Sequence, residues 1–355
     1  MRRRFLPWIE SRKDELDWKC LSYYMTDLNI LEENQDRIHW NYLCFNKNAI
    51  SLLEKNVDKI NWMNLSHNIN AIHILEGNLD KIDWNILSSN INAISLLEKN
   101  LDKVDWTELS LNINAIHILE KHLDKVDWYF ISRNINAISI LENNLDKVDW
   151  IDLSMNINAI SILKKNLDKI DWCGLSGNMN AISILELNVN RINWYHLSGN
   201  INAIPILEQN RNKIVWLTLA SNIHAISILE KHLDKANWHI LPSNTNAMSI
   251  WKINLNKIRW SNLSCNINAI SLLEKNLDMI NWYNLSSNDN AMSILEKNQD
   301  KVDFRELSHN TNIYTYDYDY YRKRMDIHRE KLMKKVFHPS RLIYYLELGY
   351  DFANM

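Results

Sequence analysis

The fold is decided by residues 84–105, which read WNILSSNINAISLLEKNLDKVD. With small changes this 22-residue stretch recurs along the chain: Trp occupies every 22nd position from 18 to 282, and Phe304 holds the next place in the series. No insertion interrupts the fourteen periods, so each unit must contact its neighbours over its full length. The chain is therefore predicted to be a tandem-repeat protein.

Two helices are predicted in each unit. Asn92 precedes a run of good helix formers and is predicted to be its N-cap, and Asn100, at the end of the run, is predicted to adopt the left-handed conformation. Asp105 is predicted to cap a second helix, in which Trp106 and Leu109 lie on one face. Helices shorter than about 12 residues are marginal in water, so neighbouring units must stabilise them by stacking.

These signals predict an all-α protein, an α-solenoid of about fourteen 22-residue helix-turn-helix repeats with N- and C-terminal helical caps. Residues 1–17 are interpreted as a degenerate half repeat and 18–312 as the tandem repeats. Residues 313–355 form the C-terminal helical cap, which is expected to cover the apolar end of the last repeat. An open, curved rod with a contour of about 120–140 Å is expected from the usual helix spacing of about 8–10 Å.

The periodic tryptophans are predicted to be the central packing residues of each layer, because an indole can bury roughly 150–250 Å². Those assigned this structural role are Trp40, Trp62, Trp84, Trp106, Trp128, Trp150, Trp172 and Trp194.

A leucine-rich repeat has a similar period and is the competing architecture. It requires apolar residues just before the asparagine, and this chain has Ser89 and Arg133 there. Those residues do not suit a buried strand, so the helical solenoid is favoured.

Composition limits the function classes. The net charge is −3 and the pI is about 6.5, so the basic field of a dedicated nucleic-acid binder is missing. The four cysteines are scattered without metal-ligand spacing, and neither a secretory signal nor an apolar run long enough to span a membrane is present. We expect an intracellular protein that does not act on a membrane.

Catalytic motifs are missing as well. There is no HExxH, no glycine-rich phosphate loop and no nucleophile elbow. His73 and His117 share a repeat position but lie two repeats apart, too far for one metal ion. The asparagine ladders are interpreted as helix caps and the charged columns as a solvated face. No enzyme activity, cofactor or metal is expected.

The variable positions carry the only functional signal. Residues one, two and five places after each Trp differ between repeats, and they share the helix face opposite Trp and Leu. We call these residues the variable strip. Several of them are aromatic, and aromatic residues often anchor protein interfaces. The candidate partner-binding residues are Tyr42, Tyr129, Phe130, Arg133, Tyr195, His196, His239 and Tyr283.

A family resemblance rests on the repeated string NINAIS[IL]LEKNLDKIDW and on two later motifs, RMDIHREKLM at 324–333 and FHPSRL at 337–342. The chain resembles, over essentially its whole length, the short-repeat proteins encoded in multiple copies by giant nucleocytoplasmic DNA viruses of amoebae. Ile91 and Ile113 stand where that family often has Pro, so the chain resembles a divergent copy. The resemblance implies a viral repeat scaffold located in host cytoplasm or in a virion. It transfers no catalytic or binding residue.

Three hypotheses follow for the function. The first is a non-enzymatic scaffold that binds a host or viral protein through the variable strip. The second is a structural role as a spacer rod, in or on the virion. The third, single-stranded RNA binding by one repeat per base, is disfavoured by the neutral charge.

Overall fold

The computed structural model describes residues 2–348. Contacts between Cα atoms divide the chain into two compact units, which we call the repeat unit, Asp14–Asn312, and the terminal unit. The terminal unit takes its described residues from 2–13 and 313–348. Of the predicted C-terminal cap, residues 349–355 lie outside the described residues.

The repeat unit confirms the predicted all-α solenoid. Each repeat begins with a short helix at the periodic aromatic residue, which we call the Trp helix. These helices are Trp18–Tyr24, Trp40–Leu43, Trp62–Ser66, Trp84–Ser88, Trp106–Leu111, Trp128–Arg133, Trp150–Met155, Trp172–Gly177, Trp194–Gly199, Trp216–Leu219, Trp260–Ser264, Trp282–Ser286 and Phe304–Leu307. The repeat of Trp238 has the 3₁₀-helix Leu241–Ser243 instead, because Pro242 has no amide hydrogen to continue an α-helix.

A second helix begins ten residues after each Trp, usually at isoleucine, and we call it the Ile helix. These helices are Leu28–Glu33, Ile50–Glu54, Ile72–Glu76, Ile94–Glu98, Ile116–Lys121, Ile138–Glu142, Ile160–Lys165, Ile182–Glu186, Ile204–Gln209, Ile226–Lys231, Met248–Lys252, Ile270–Leu273 and Met292–Lys297. Further 3₁₀ turns are Lys13–Glu15, Gln35–Arg37, Val57–Lys59, Val189–Arg191, Arg211–Lys213, Leu255–Lys257, Leu277–Met279, Asp289–Ala291 and Gln299–Lys301.

The predicted acidic caps of the Trp helices are present. Asp105 Oδ1 accepts hydrogen bonds from the backbone N–H groups of Thr107 and Glu108, at 2.9 and 3.1 Å. Most other Trp helices carry Asp or Asn in the same place, whereas Val215 caps its helix without a side-chain bond. A side-chain acceptor satisfies amides that a helix N-terminus leaves unpaired.

The two asparagine predictions for the Ile helix are wrong. Its N-cap is Ala93 and makes no side-chain bond, while Asn92 Nδ2 donates to the Ile69 carbonyl of the preceding repeat at 2.9 Å. At the other end, Asn166 has a φ of −132°, not a left-handed value, and its Nδ2 donates to the Ile162 carbonyl at 2.9 Å. Both asparagines donate side-chain hydrogen bonds to backbone carbonyl groups. Neither bond requires the asparagine to adopt a positive φ.

Buried polar side chains join consecutive repeats. Ser110 Oγ donates to the Trp106 carbonyl at 2.7 Å and accepts from the Asp127 N–H at 3.0 Å, 17 residues onward. Asn134 Nδ2 donates to the carbonyls of Ser110 and Asn112 at 3.1 and 3.2 Å. Because these groups are buried and their bonds cross between repeats, they fix the register of each layer against the next.

The core consists of aliphatic rows from both helices. Leu109 in the Trp helix and Ala115 and Leu119 around the Ile helix have no exposed surface. The periodic tryptophans after Trp18 are half-buried, and most carry a lysine or arginine over the ring; Lys103 Nζ, for example, lies 5.0 Å from the Trp84 ring centroid. The indole thus packs against the core, and a basic side chain lies over the ring face that is open to solvent.

The first and last repeats contact each other. Ser308 Oγ accepts from the Asp17 N–H at 2.7 Å, and the Cys20 thiol donates to the Ser308 carbonyl at 3.3 Å. The Ser308–Asp17 bond is the same bond that joins Ser110 to Asp127, except that the chain separation is 291 residues instead of 17. Because the junction bond runs backward along the chain, the two separations add up to 308 residues, which is fourteen periods of 22. The repeat unit therefore closes on itself in register.

The expected open rod is therefore wrong for the repeat unit. A small rotation at each interface accumulates along a solenoid. Over fourteen repeats that rotation amounts to a full turn of about 360°, or about 26° per repeat. The exposed apolar ends that a rod would need to cap are joined to each other instead.

The terminal unit combines both ends of the chain. Strand Arg3–Phe5 pairs antiparallel with strand Tyr314–Tyr316, and the short helix Pro7–Glu10 follows the first strand. Helices Tyr318–Val336 and Pro339–Glu347 follow the second strand. The longer of them has no buried residue.

Candidate interaction surface

The variable strip is exposed along the repeat unit. At the first position after Trp, the exposed fractions of Tyr129, Tyr195 and Tyr283 are 47, 52 and 55%. Aliphatic residues at the same position, such as Ile151 at 60%, are equally open. The second position is more often half-buried, as at Phe130. Seven of the eight sequence-predicted residues are therefore exposed, and Phe130 is half-buried.

The variable strip lies on the concave side of the repeat unit. Along most of the unit, neighbouring Trp helices approach each other within 8 Å between Cα atoms, whereas neighbouring Ile helices do so at few points. A two-layer array curves toward the layer whose helices are more closely spaced. The Trp helix turns Leu and Ser toward the Ile helix, so its opposite face, which carries the variable strip, faces inward.

Arg133 is held by contacts within the strip. Its Nε lies 2.7 Å from Asp152 Oδ1 in the next repeat, and its guanidinium stacks over the Tyr129 ring at 5.1 Å from the centroid. The hydrogen bond to Asp152 raises the pKa of Arg133. Asp152 is 1% exposed, so this ion pair neutralises a buried carboxylate and fixes the position of a strip residue.

Aromatic pairs stiffen other parts of the strip. Tyr129 and Phe130 meet edge to face with centroids 5.1 Å apart, and Tyr195 and His196 do so at 5.4 Å. Such pairs are held in fixed geometry by their ring quadrupoles, so these side chains are ordered before any partner binds.

Two further candidates have polar contacts to adjacent repeats. Tyr283 donates a hydrogen bond to the Glu306 carboxylate, and this bond together with repulsion from that negative charge raises the pKa of Tyr283. His239 Nδ1 lies 2.9 Å from Arg259 Nη1. The side chain of Tyr42 is 43% exposed.

The structure thus brings the eight candidate residues to one face of the repeat unit, spread over most of the repeats.

Sequence reasoning missed an aromatic row at the beginning of the strip. Tyr23, Phe45 and His67 occupy the fifth position in consecutive repeats, and their ring centroids are 5.7 and 5.5 Å apart. The spacing of 22 residues between them was the available signal. It also missed Asp152, because an acidic residue at a variable position gives no indication that it is buried.

The two histidines that share a repeat position have separate partners. His73 and His117 each pair with a glutamate of the preceding repeat, at 2.6 Å from Glu54 and 2.7 Å from Glu98. Residues 2–348 contain no group of three or more His, Cys, Asp or Glu side chains that could hold a metal ion. Over the same residues, none of the helices combines the length and the apolar character needed to cross a bilayer.

Comparison with known proteins adds no further constraint. No family model, no curated protein and no solved structure matches the chain.

Proposed function

We propose that this chain is a non-enzymatic interaction protein that holds a protein partner, viral or host, against the inward-facing variable strip. The observation that carries the proposal is a row of exposed, ordered aromatic side chains on the concave side of a closed repeat unit. Aromatic anchors that lose little conformational entropy are characteristic of binding surfaces.

The size of the opening limits the partner. Fourteen inner helices spaced about 8–10 Å apart form a circle of roughly 110–140 Å, or about 35–45 Å across between helix axes. Subtracting about 10 Å for helix width leaves an opening of roughly 25–35 Å. Such an opening accepts a helical segment or a small domain, which the strip would surround and contact on several sides.

The charge of the strip favours a polypeptide over a polyanion. Arg133 is paired with Asp152 and Tyr283 with Glu306, and apolar residues such as Ile151, 60% exposed, lie between them. Nucleic-acid channels instead carry unpaired Lys and Arg in excess. A neutral inner face with open aromatic groups matches an apolar segment of protein.

The test compares two matched variants in an affinity capture from infected amoebal lysate. The strip variant carries Tyr129→Ser, Tyr195→Ser and Tyr283→Ser. The control carries Leu187→Ser and Ile253→Ser, which remove side chains that are 86 and 76% exposed but lie outside the strip. Both variants should keep the circular dichroism spectrum of the native protein, because no buried side chain changes.

We expect a partner that the native protein and the control retain and the strip variant loses. That partner is then tested with purified components by calorimetry, where losing three exposed anchors should weaken binding at least tenfold. Capture of the same proteins by both variants, or of none by the native protein, would reject the strip as the binding surface.

A further inference from the structure

The C-terminal helices of the terminal unit carry charge opposite to that of the rest of the chain. Between residues 321 and 341 there are eight Lys or Arg and two Asp or Glu, a net charge of +6. The whole chain has a net charge of −3, so the residues outside this segment sum to −9. A local excess this large is an electrostatic feature that the pI of the whole protein conceals.

These charges flank an open apolar stripe. On helix Tyr318–Val336, Met325, Leu332 and Val336 follow at intervals of seven and four residues and therefore share one face, with 71, 61 and 41% of their surfaces exposed. At about 100° per residue, Arg329 lies on one side of the stripe and Lys335 on the other. None of the residues of this helix is buried.

Apolar side chains continue beyond this helix. Phe337 is 49% exposed, and in helix Pro339–Glu347 Ile343 is 56% exposed. Arg341, also exposed, adds a further positive charge beside them. Two consecutive helices thus present apolar groups bordered by basic groups, all of them open to solvent.

We propose that these two helices bind the protein to the surface of an anionic phospholipid membrane. Lysine and arginine side chains would contact lipid phosphate and carboxylate groups, and the stripe Met325–Leu332–Val336 would enter the boundary between headgroups and acyl chains. Clusters of four to eight basic residues attract a segment to anionic lipid. Helix Pro339–Glu347 is the more amphipathic of the two helices and follows the basic cluster directly. A nucleic acid would use the same charges but would leave the aliphatic stripe exposed to water, and for that reason a membrane is the favoured polyanion.

Such binding lies at the surface and is compatible with the lack of a membrane-spanning helix among residues 2–348. It revises the sequence-based expectation that the protein does not act on a membrane, because that expectation considered only spanning segments and the average charge. It is independent of the variable strip.

The experiment is co-sedimentation of the purified full chain with phosphatidylcholine vesicles, with and without phosphatidylserine. A charge variant carries Lys331→Gln, Lys334→Gln and Lys335→Gln, and an apolar variant carries Met325→Ser, Leu332→Ser and Val336→Ser. The control, Lys99→Gln with Lys121→Gln and Lys231→Gln, removes three exposed lysines from Ile-helix ends of the repeat unit. All the changed residues are exposed, and circular dichroism verifies that each variant is folded.

We expect the native chain and the control to sediment with the anionic vesicles only. The charge variant should bind on the order of 100-fold more weakly, since each basic residue near the surface contributes about fivefold. The apolar variant should also lose binding. Failure of the native chain to sediment, or equal binding to both vesicle types, would overturn the proposal.

Two alternative partners give different results in the same series. If a fluorescent single-stranded RNA binds and only the charge variant weakens it, with the apolar variant unchanged, the surface is a nucleic-acid site and the proposal fails. If sedimentation velocity finds a dimer that the apolar variant dissociates, and no vesicle binding, the stripe packs on a second copy and the proposal fails as well.

Discussion

At the residue scale, asparagine is the residue that links the repeats. Asn134, 3% exposed, donates through Nδ2 to two carbonyls of preceding repeats, and its Oδ1 accepts from the Asn136 N–H at 3.0 Å. One amide side chain thus satisfies three backbone groups, two of them buried carbonyls, which no aliphatic residue could do. The serine two residues before it, present in most repeats, adds a further bond between layers.

Replacing Asn134 by Ala is expected to lower the free energy of unfolding by about 2–4 kcal/mol, because buried carbonyl and amide groups lose their partners. Asn143→Ala is the matched control: its Nδ2 bonds to the Ser139 carbonyl within one helix, at the surface. That change should alter stability by no more than about 0.5 kcal/mol. Urea unfolding followed by far-UV circular dichroism measures both, and equal shifts would show that the ladder does not link the layers.

At the element scale, each helix depends on its cap and its neighbours. Trp helices have four to seven residues, too few to persist alone. Asp or Asn before the Trp compensates in most repeats by accepting bonds from the first amides. Val215 cannot do so, and helix Trp216–Leu219 is among the shortest of the set.

Val215→Asp is therefore expected to stabilise the protein by about 0.5–2 kcal/mol, the usual contribution of an N-cap side chain. The replacement restores the residue type found at Asp105 and Asp127, and the site is half-buried. Val215→Ala, which provides no acceptor, should give no gain. Thermal unfolding compares the two, and a stability of the Asp variant at or below that of the Ala variant would contradict the capping argument.

At the scale of the whole molecule, the decisive feature is the junction between the last and first repeats of the repeat unit. Cys20 is 8% exposed and donates to the Ser308 carbonyl across this junction. Burial, followed by repulsion from Asp17 and Glu306, raises the pKa of Cys20 to about 12. The thiolate is therefore nearly absent at pH 8, and the thiol is shielded as long as the unit stays closed.

Iodoacetamide at pH 8 is expected to leave Cys20 unmodified and to modify the exposed Cys173, as read by peptide mass spectrometry. Ser308→Arg places a bulky cation at the 4% exposed junction and should raise the Cys20 reaction rate by on the order of tenfold or more. Cys44, buried between interior repeats, should stay protected in both proteins. Rapid modification of Cys20 in the native protein would mean that the repeat unit is open.

Much of this structure could be predicted from local sequence. The period of 22, the two helices and the Asp105-type caps depend only on neighbouring residues, and all were correct. The sequence also held an unused signal for closure: residues 1–17 match the late half of the repeat and 304–312 the early half. The eight candidate residues of the strip were predicted because variation within a strict repeat indicates where packing does not constrain the side chain, and their role in binding stays a prediction.

The tertiary structure decided the rest. Closure depends on the rotation at each interface, and an error of a few degrees per repeat, summed over fourteen, would separate Asp17 from Ser308. No single repeat encodes that sum. For the same reason the sequence could assign the strip to a helix face but not to the concave side, and it could not show that Asp152 is buried or that Asn92 bonds to the preceding repeat. Repeat and helix are local properties of this chain, whereas curvature, closure and the direction in which the strip faces arise from packing between layers.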